Sequence, residues 1–448
     1  MNPRKGAYRV LSKVLYEETY SNIALNDEIQ KGDYKDKDLS LLTELVYGTL
    51  EKLLTLNFAM DHFSKIKTKK MDDATRLILQ IGAYQILFLD RVPDFAIANE
   101  AGKLAGVYAK RSKGFINGVL RNMIRRKEEI PWPKKDKNFV DYLSVTYSYP
   151  TWLVEELLKY YSKEFTEGFM KASTENPPLY FRINTLKVTK EKVLEYMVKQ
   201  GLEVESTELL TEGIKVKGLK NISDFPPLKE GWVHIQDLSS MMVAKFLDPK
   251  PEELVMDLCS APGGKTTHMA QLMDNQGRII ARDIFSHKLR LIEEHSHRLG
   301  IEIIETQEFS GEKLDKEFLG KADRVLVDAP CSGLGVIRRK PEIKYRMQEE
   351  SLKALQHLQL TILENASKYV KPGGILLYST CTIHPLENHG VTEDFLEKHQ
   401  EFTSVDLKEE SHAVFQKMPG LFTQYGELAS FPQEHQMDGF YIRKFQKQ

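Results

Sequence analysis

The sequence contains few cysteines and lacks long apolar runs. Its 448 residues include three cysteines, none of them spaced as C-x-x-C, so a disulfide framework is excluded and a reducing cytoplasm is the expected location. No run approaches the roughly 18 apolar residues of a membrane-spanning helix. The N-terminus lacks the apolar stretch and the small-residue cleavage site of a signal peptide. We therefore expect a cytoplasmic protein that is neither secreted nor embedded in a membrane.

The sequence also lacks an excess of charge of either sign. The formal net charge is −1, which neither demands nor excludes a nucleic-acid partner, because the local placement of basic residues decides that question. The composition, 41% hydrophobic and 28% charged, is typical of a soluble globular protein. A chain of 448 residues is too long for one ordinary core, so two or three domains are predicted.

Residues 1–135 predict an all-helical domain. Apolar residues recur there at helical spacing, and the sequence PWPKK at 131–135 breaks any helix and marks the first domain boundary. The stretch from Lys103 to Lys137 holds eleven Lys or Arg against three acidic residues. A solvated helix face and an RNA-contacting face explain this stretch equally well.

Two stretches of this domain resemble the fold of the antitermination factor NusB. They are RLILQIGAYQILFLDRVP at 76–93 and KGFINGVLR at 113–121. Taken alone, this resemblance implies a helical module that binds RNA or protein.

Residues 140–235 predict linker helices and a small α+β subdomain. Two helices are expected between 140 and 175. From residue 177 the pattern changes to a strand at 179–184, a helix at 189–200 that begins with Thr189 as its cap, and a strand at 213–216. RRM-like modules of this kind often hold nucleic acid beside a catalytic domain.

Residues 236–448 alternate between strands and helices. The predicted strands are 254–258, 278–283, 301–306, 323–328, 375–380 and 439–445, and the predicted helices are 266–273, 286–299 and 349–370. Near-continuous apolar strands with helical crossovers predict an α/β domain with a doubly wound, mostly parallel sheet. Ligands of such sheets bind at the carboxyl ends of the strands.

The first of these strands leads into a Pro-Gly-Gly turn and a new helix. Gly264-Lys265-Thr266 matches the end of a phosphate-binding P-loop, but Cys259 occupies the position of the first glycine. An ATPase is therefore disfavoured. Glycines at such a turn allow the backbone to approach a ligand closely, so a different ligand is expected.

Acids and all three cysteines follow the predicted strands at this edge. Cys259 follows the first strand, Asp283 ends the second, Asp328 and Cys331 close the fourth, and Cys381 follows the fifth. An acid at the end of the second strand is placed to accept hydrogen bonds from a ribose diol, yet the G-x-G-x-x-G of dinucleotide folds is absent. A positively charged nucleoside without a pyrophosphate fits better, and S-adenosylmethionine is such a ligand.

Three motifs here resemble the signatures of the RNA cytosine-C5 methyltransferases of the Nol1/Nop2/Sun family. They are DLCSAPGGKT at 257–266, DAPCSG at 328–333, and TCT at 380–382 followed by PLEN at 385–388. DGFY at 438–441 is similar to the family's closing strand. The NusB-like N-terminus narrows the resemblance to the bacterial branch that acts on 16S rRNA. The resemblance implies a Rossmann-like S-adenosylmethionine-dependent methyltransferase domain at 236–448, with RNA as the partner and neither a membrane nor a metal.

The resemblance also implies roles for single residues. Cys381 is the nucleophile that adds to C6 of cytosine, Cys331 assists release of the methylated RNA, and Asp328 is the matching acid near N3. Cys259 is given no covalent role. The residues implied to bind the cofactor are Cys259, Ser260, Ala261, Pro262, Gly263, Gly264, Lys265, Asp283, Gln307 and Asp328.

The sequence departs from the family at two positions. Gln307 stands where an acid often follows the third strand, and Pro385-Leu386-Glu387-Asn388 has one acid where two are usual. Neither departure affects a cysteine, so the expected chemistry is unchanged.

The expected substrate is a single-stranded loop or bulge, because the target base must leave any stack to reach Cys381. Arg338, Arg339 and Lys340 are either RNA-contacting residues or part of a solvated loop, with equal weight. A monomer is expected. Two alternatives stay open: a non-catalytic RNA-binding or ribosome assembly factor on a methyltransferase fold, and a cytosine-C5 methyltransferase that acts on tRNA.

Overall fold

A computed structural model of the chain divides by its contacts into two compact units. The first unit comprises Met1–Glu175 and Ile337–Glu349, and the second comprises Asn176–Val336 and Glu350–Gln448. The predicted domain boundaries at 135 and 235 stay a prediction. The residues described are 1–207, 209–219, 222, 224–411 and 413–448.

The first unit is helical up to Glu175. Asn2 caps the first helix by accepting from two backbone amides, and Pro3 stands at its first position, which is a favoured start for a helix. The helices are α1 (Pro3–Tyr16), α2 (Ser21–Lys31), α3 (Asp36–Glu51), α4 (Leu53–Phe63), α5 (Asp73–Phe88), α6 (Asp94–Tyr108), α7 (Lys113–Arg126), α8 (Phe139–Tyr147), α9 (Thr151–Tyr160) and α10 (Lys163–Ala172).

The core of this unit is built from the apolar faces of its longer helices. Leu11 of α1, Leu45 of α3, Ile78 of α5 and Leu120 of α7 are all fully buried in one cluster. Burial of such side chains, each stabilising by about 1.5–3 kcal/mol, explains why the 3.6-residue spacing of apolar residues in the sequence predicted these helices.

The second unit begins with a small antiparallel sheet. Its strands lie in the order β2-β3-β1-β4. The strands β2 and β4 were not expected from the sequence, because β2 is a largely exposed strand and β4 has three residues. The elements are β1 (Leu179–Ile183), α11 (Lys190–Lys199), β2 (Glu203–Ser206), β3 (Gly213–Lys217), α12 (Pro226–Lys229) and β4 (Val233–Ile235).

The remaining elements alternate between helices and strands as predicted. The helix α16 and the first residue of α17 belong to the first unit, and the rest belong to the second. The elements are α13 (Leu238–Leu247), β5 (Leu254–Asp257), α14 (Gly264–Leu272), β6 (Arg278–Asp283), α15 (Ser286–Leu299), β7 (Ile304–Glu308), β8 (Ala322–Asp328), α16 (Ile343–Arg346), α17 (Glu349–Tyr369), β9 (Val370–Thr380), α18 (Val391–Lys398), β10 (Phe402–Val405), α19 (Leu407–Glu410), α20 (Ala413–Gln416), β11 (Leu428–Ser430), α21 (Pro432–His435) and β12 (Phe440–Lys447).

The large sheet has the order β10-β12-β9-β8-β5-β6-β7, and β11 pairs with β12. The strands from β5 to β9 are parallel to their neighbours, while β12 is antiparallel to β9. From β5 the chain continues to β6 on one side and later returns to β8 on the other. The carboxyl ends of β5 and β8 therefore form the topological switch point at which open α/β sheets bind their ligands.

One predicted strand is displaced in the structure. The third strand was expected at 301–306 and is observed at Ile304–Glu308, because Gly300 adopts a left-handed backbone and ends α15, and Ile301 still hydrogen-bonds back to that helix. Gln307 consequently lies within β7. Within the described part of the chain, no helix is both long enough and apolar enough to span a membrane.

Candidate active site

The turn after β5 forms one wall of the candidate site. Gly263 has a left-handed backbone with φ 98°, and a Cβ atom at this position would lie 3.2 Å from the backbone of Ile292. Both conformation and space therefore require glycine. The helix α14 begins at Gly264, so the free amides of its first turn lie at the carboxyl end of β5.

Lys265, the lysine of the Gly-Lys-Thr sequence, is bound to a carboxylate. Its Nζ donates a hydrogen bond of 2.6 Å to Oδ2 of Asp328, and Oδ1 of Asp328 accepts one of 2.8 Å from the hydroxyl of Ser379. The ammonium also lies 4.9 Å from the ring centroid of Phe440. Burial by itself lowers the pKa of Lys265, but the carboxylate of Asp328 outweighs burial, so the pKa is raised and the ammonium stays charged.

The two cysteines that follow β8 and β9 lie in contact. Sγ of Cys331 is 3.5 Å from Sγ of Cys381, although 50 residues separate them in the sequence. The contact with Cys381 and burial raise the pKa of the Cys331 thiol well above its usual value, so Cys331 is a neutral thiol. A thiolate at Cys381 raises the pKa of Lys265. A cation therefore lies within electrostatic range of Cys381, as a reactive thiolate requires.

Glu387 joins the two cysteine loops, and the sequence did not reveal this role. Its buried carboxylate accepts hydrogen bonds from the backbone N–H of Ser332 at 2.8 Å and from Nε2 of Gln359 at 2.9 Å. The hydroxyls of Ser332 and Thr382 also donate to it. Since Ser332 and Thr382 each directly follow a cysteine, one carboxylate fixes the separation of the two thiols. The remaining acid of the PLEN sequence is therefore a structural group whose partners come from three separate segments.

Three carboxylates lie within electrostatic range of Cys259. Burial raises the pKa of its thiol well above the usual value, and the charges of Asp257, Asp283 and Asp328 raise it further, so this thiol is not a nucleophile. Asp257 is buried. Its Oδ2 accepts a hydrogen bond of 2.7 Å from the hydroxyl of Thr266, and within the described ranges its Oδ1 has no hydrogen-bond partner.

These carboxylates fit the expected cofactor. Burial raises the pKa of Asp257 to about 7, and a cation bound nearby would favour its ionised form. An orphaned carboxylate oxygen and negative surroundings are complementary to a sulfonium cation with an amino group. S-adenosylmethionine carries both, so the residues present are compatible with it. Asp257 was not among the predicted cofactor-binding residues, although it ends the first strand.

Other predicted cofactor-binding residues of the turn are engaged within the protein. The hydroxyl of Ser260 donates to the carbonyl of Arg282 at 2.9 Å. The carbonyl of Pro262 lies 2.9 Å from Nδ1 of His295, and Ala261 is half-buried. These three residues shape the turn, and their contact with a cofactor stays a prediction.

Gln307 lies opposite Arg282 in the register of β6 and β7. Its Oε1 accepts a hydrogen bond of 2.9 Å from Nε of Arg282. The same guanidinium forms an ion pair of 2.5 Å with Asp315 and faces the ring of Phe309 at 4.4 Å. Because the amide oxygen is engaged by Arg282, the amide nitrogen is the group that Gln307 can offer to a ligand.

A buried arginine from the small sheet supports the start of α14. Arg182 of β1 is 1% exposed, and its guanidinium donates to the carbonyl of Gly264 at 2.7 Å and to the hydroxyl of Thr267 at 3.0 Å. It also donates to the side chain of Gln236. The small sheet thereby fixes the turn at the ligand-binding edge, a function that the local sequence of β1 does not indicate.

The three basic residues after the DAPCSG motif belong to the first unit. Arg338 is buried and Arg339 is half-buried. The ammonium of Lys340 lies 4.6 Å from the ring centroid of Tyr20. The alternative of a fully solvated loop is therefore wrong, and contact of these residues with RNA stays a prediction.

A separate cluster of possible metal ligands is already neutralised by an arginine. His389, Glu393 and Glu427 place one ligand atom each within 4.8 Å of one another. The guanidinium of Arg443 donates to both carboxylates, at 2.5 Å and 2.8 Å. A metal cation would have to displace Arg443, so the cluster is an ion-pair network that ties α18 to β12.

Three family models match three successive segments of the chain. The NusB family matches residues 1–125, a ferredoxin-like domain of RsmF/B-like methyltransferases matches residues 149–223, and the 16S rRNA methyltransferase RsmB/F model matches residues 244–446. The predicted NusB-like fold, the small α+β subdomain and the Rossmann-like methyltransferase domain are thereby confirmed. The predicted cofactor of the family, S-adenosylmethionine, is likewise confirmed.

Known relatives match over the full chain. The probable ribosomal RNA small subunit methyltransferase B of Bacillus subtilis strain 168 is 37% identical, covering 98% of both chains. The probable enzyme of the same name from Synechocystis sp. PCC 6803 is 34% identical, covering 100% of both.

Solved structures are similar as well. The crystal structure of PH0851 superposes with a TM-score of 0.84 at 28% identity, covering 100% of this chain and 99% of that one. NSun6 from Pyrococcus horikoshii, solved with SFG, has a TM-score of 0.59 at 26% identity, covering 66% of this chain and 98% of that one. With full-length relatives above 30% identity and the three domain models in the same order, the chain belongs to the ribosomal RNA small subunit methyltransferase B (RsmB) family.

Proposed function

We propose that the chain transfers a methyl group from S-adenosylmethionine to C5 of a cytosine in 16S rRNA, through a covalent bond between Cys381 and C6. The observation that carries the proposal is the contact of two thiols, 3.5 Å apart, at the carboxyl edge of the sheet. The relatives named as small-subunit rRNA methyltransferases supply the class of substrate.

The surroundings of the two thiols support different roles for them. Lys265 lies within electrostatic range of Cys381 and favours its thiolate, whereas the pKa of Cys331 is raised well above its usual value. The thiolate is the nucleophilic form of cysteine. We therefore assign the nucleophile to Cys381, as the family resemblance implies, and the release of the product to Cys331, the thiol beside it.

The proposed reaction accounts for each bond and proton. The Cys381 thiolate forms a bond to C6, and the electron pair of the C5–C6 double bond moves so that C5 becomes nucleophilic while N3 takes a proton. S-adenosylmethionine supplies an electrophilic methyl group for C5. In that transfer the S–CH3 bond of the cofactor would break and leave a neutral thioether. N3 then returns its proton to Lys265, and loss of the C5 proton to water re-forms the C5–C6 double bond and expels the Cys381 thiolate.

The proton for N3 comes from the pair of Lys265 and Asp328. Asp328 was expected to act as the acid near N3, and its carboxylate accepts a hydrogen bond of 2.6 Å from the ammonium of Lys265. In such a pair the ammonium carries the proton and the carboxylate orients it. Lys265 is consequently the proton donor in this proposal, and Asp328 holds it in place.

The cofactor-binding residues in this proposal are those of the turn after β5, with Asp257, Asp283 and Gln307. The acids attract the positive charge, and the N-terminal amides of α14 lie beside them. Two alternatives compete: a non-catalytic assembly factor, and methylation of tRNA. The two thiols in contact and the charged lysine argue against a non-catalytic assembly factor, because a protein that only binds RNA does not require them.

The deciding experiment maps the product of the reaction. The protein is incubated with methyl-labelled S-adenosylmethionine and either 16S rRNA or tRNA, and the labelled nucleoside is identified after digestion. We expect 5-methylcytosine in 16S rRNA. No transfer to either RNA contradicts the proposal, and 5-methylcytosine in tRNA alone supports the tRNA alternative.

Single cysteine substitutions test the assignment of the two thiols. We expect Cys381→Ala to abolish transfer and Cys331→Ala to accumulate a covalent protein–RNA adduct, visible on a denaturing gel. The double variant serves as a control and should form no adduct. An adduct formed by Cys381→Ala would reverse the two roles.

A further inference from the structure

The hairpin of α6 and α7 carries an open groove that the proposed chemistry does not use. The groove encloses about 440 Å³, within the usual range of ligand-binding clefts, roughly 300–1,000 Å³. It lies in the stretch of the sequence that is rich in Lys and Arg. Side chains of both helices line it, among them Phe95, Ala98, Asn99, Lys113, Asn117 and Arg121.

An exposed aromatic ring stands at the groove. Phe95, in the first turn of α6, is 78% exposed, more than any other large apolar side chain among the described residues. Exposure of such a ring forgoes the stabilisation that its burial would give. Proteins bind unpaired bases by stacking them on exposed aromatic rings.

Basic side chains flank the ring. Lys113 and Arg121 are exposed on α7 and line the groove. Lys103 of α6 also lines the groove. Its ammonium donates a hydrogen bond of 2.5 Å to the carboxylate of Glu100. With Asp94 as the acid among the lining residues, the groove carries a net positive charge, which is complementary to a phosphate backbone.

The floor and one side of the groove permit close approach of a polymer. Ala98 contributes a short side chain to the lining, and Asn99 and Asn117 offer amide donors and acceptors. On α7, a Cβ atom at Gly114 or Gly118 would meet nothing within 4 Å. The helix backbone is therefore uncovered along the side that leads to Arg121.

We propose that the α6–α7 groove binds a single-stranded segment of the RNA substrate, with a base stacked on Phe95 and phosphates held by Lys113 and Arg121. This inference rests on the proposed function for the identity of the RNA. Lys113 and Arg121 favour RNA over an apolar protein segment, because their positive charges pair with the phosphates of a polyanion. The ring of Phe95 can stack on a base of the same strand.

The test measures binding of the full chain to fluorescently labelled 16S rRNA across a series of salt concentrations. We expect Phe95→Ala to weaken binding about 5- to 150-fold, the range that corresponds to the loss of one stacked base. The double change Lys113→Gln and Arg121→Gln should reduce the slope of log affinity against log salt by about 1.4, since each phosphate contact of a single strand contributes about 0.7. Ala98→Leu, which fills the groove without changing charge, should also weaken binding.

Matched changes elsewhere on the same unit provide controls. Ile66→Ala removes another exposed apolar side chain, and Lys35→Gln removes another exposed cation. We expect each of these variants to bind RNA with the affinity of the unchanged chain. Circular dichroism checks that each variant is folded. A 4-thiouridine-substituted RNA should crosslink to the peptide that contains Phe95.

Equal affinity and equal salt slope in all the groove variants would overturn the inference. A change in oligomeric state without a change in RNA affinity would instead assign the groove to a second copy of the chain, and would also overturn it. Binding does not depend on methyl transfer, so a chain that binds RNA through the groove but transfers no methyl group contradicts only the proposed function.

Discussion

At the scale of single residues, the pairing of charges determines which groups at the sheet edge can react. Lys265 is paired with Asp328, and Cys331 is held as a neutral thiol. Asp257 differs from both. It is buried, its Oδ1 lacks a hydrogen-bond partner within the described ranges, and its pKa is raised to about 7. Its proton is therefore released near neutral pH.

We predict that Asp257 makes the protein less stable as the pH rises from about 4 to about 7. The folded chain keeps a proton on this carboxyl in that window, whereas the unfolded chain has released it. The free energy of unfolding then falls by about 1.4 kcal/mol per pH unit. Asp257→Asn removes the titrating proton, so its stability relative to the unchanged chain should be greater at pH 8 than at pH 5.

Urea unfolding of both proteins at pH 5 and pH 8, without cofactor, measures this difference. Carboxyls far from position 257 are common to the two proteins, so their contributions cancel and the comparison reports Asp257 and its neighbours. The same pH dependence in both would show that the carboxyl is already ionised in the folded chain. Addition of S-adenosylmethionine should stabilise the unchanged chain more at pH 8, where the carboxylate is charged.

At the scale of elements, the small antiparallel sheet supports the catalytic edge through one side chain. The guanidinium of Arg182 reaches from β1 to the first residue of α14. Burial lowers the pKa of Arg182 to about 9, so the group remains charged at neutral pH. A planar fork with several donors is needed to contact Gln236, Gly264 and Thr267 together.

We predict that Arg182→Lys weakens cofactor binding and lowers the melting temperature. A single ammonium cannot replace the three contacts, and unpaired buried acceptors cost about 1–3 kcal/mol each. Isothermal titration with S-adenosylmethionine measures the affinity, which should fall at least about tenfold. The control is Lys199→Gln, which breaks an exposed ion pair on α11 and should change neither the cofactor affinity nor the melting temperature. If Arg182→Lys binds the cofactor as tightly as the unchanged chain, α14 is positioned without the small sheet.

The elements themselves were predictable where burial imposes a period on the sequence. The buried strands β5, β6 and β8 have near-continuous apolar runs and were located within a residue or two. The exposed β2 and the three-residue β4 and β11 carry too few buried side chains to produce a pattern. The position of β7 depends on the left-handed end of α15 at Gly300, which a search for apolar residues does not detect.

At the scale of the whole molecule, the first unit is assembled from two separated segments of the chain. The segment Ile337–Glu349 supplies donors to carbonyls at the ends of helices. Lys344, which is fully buried, donates to the carbonyls of Glu51 in α3 and Tyr147 in α8 at 3.1 Å and 3.2 Å. Arg346 donates to the carbonyl of Val14 in α1 at 2.9 Å.

These contacts place hydrogen-bond donors at the carboxyl ends of three helices, where backbone carbonyls lack partners within the helix. We predict that a fragment of residues 1–175 is less stable than the same fragment joined by a Gly/Ser linker to residues 337–349. Each hydrogen bond contributes about 0.5–1.5 kcal/mol, so the joined fragment should melt about 5 °C higher or more.

Thermal unfolding followed by circular dichroism measures both fragments. A joined fragment with Lys344→Ala and Arg346→Ala is the matched control, and it should lose most of the gain. If the two fragments melt at the same temperature, the helical unit is stable without the distant segment.

The sequence by itself determined which chemical groups this protein carries and at which strand ends they lie. The order of buried strands and glycine turns predicted the sheet edge, and the residues after each strand predicted the two cysteines and the acids, because both follow from local pattern along the chain. Only the tertiary structure decided the partners: Lys265 with Asp328, Glu387 with both cysteine loops, and Arg182 with α14. Such partners lie far apart in the sequence, and the contact between them depends on how whole elements pack, which no local pattern records.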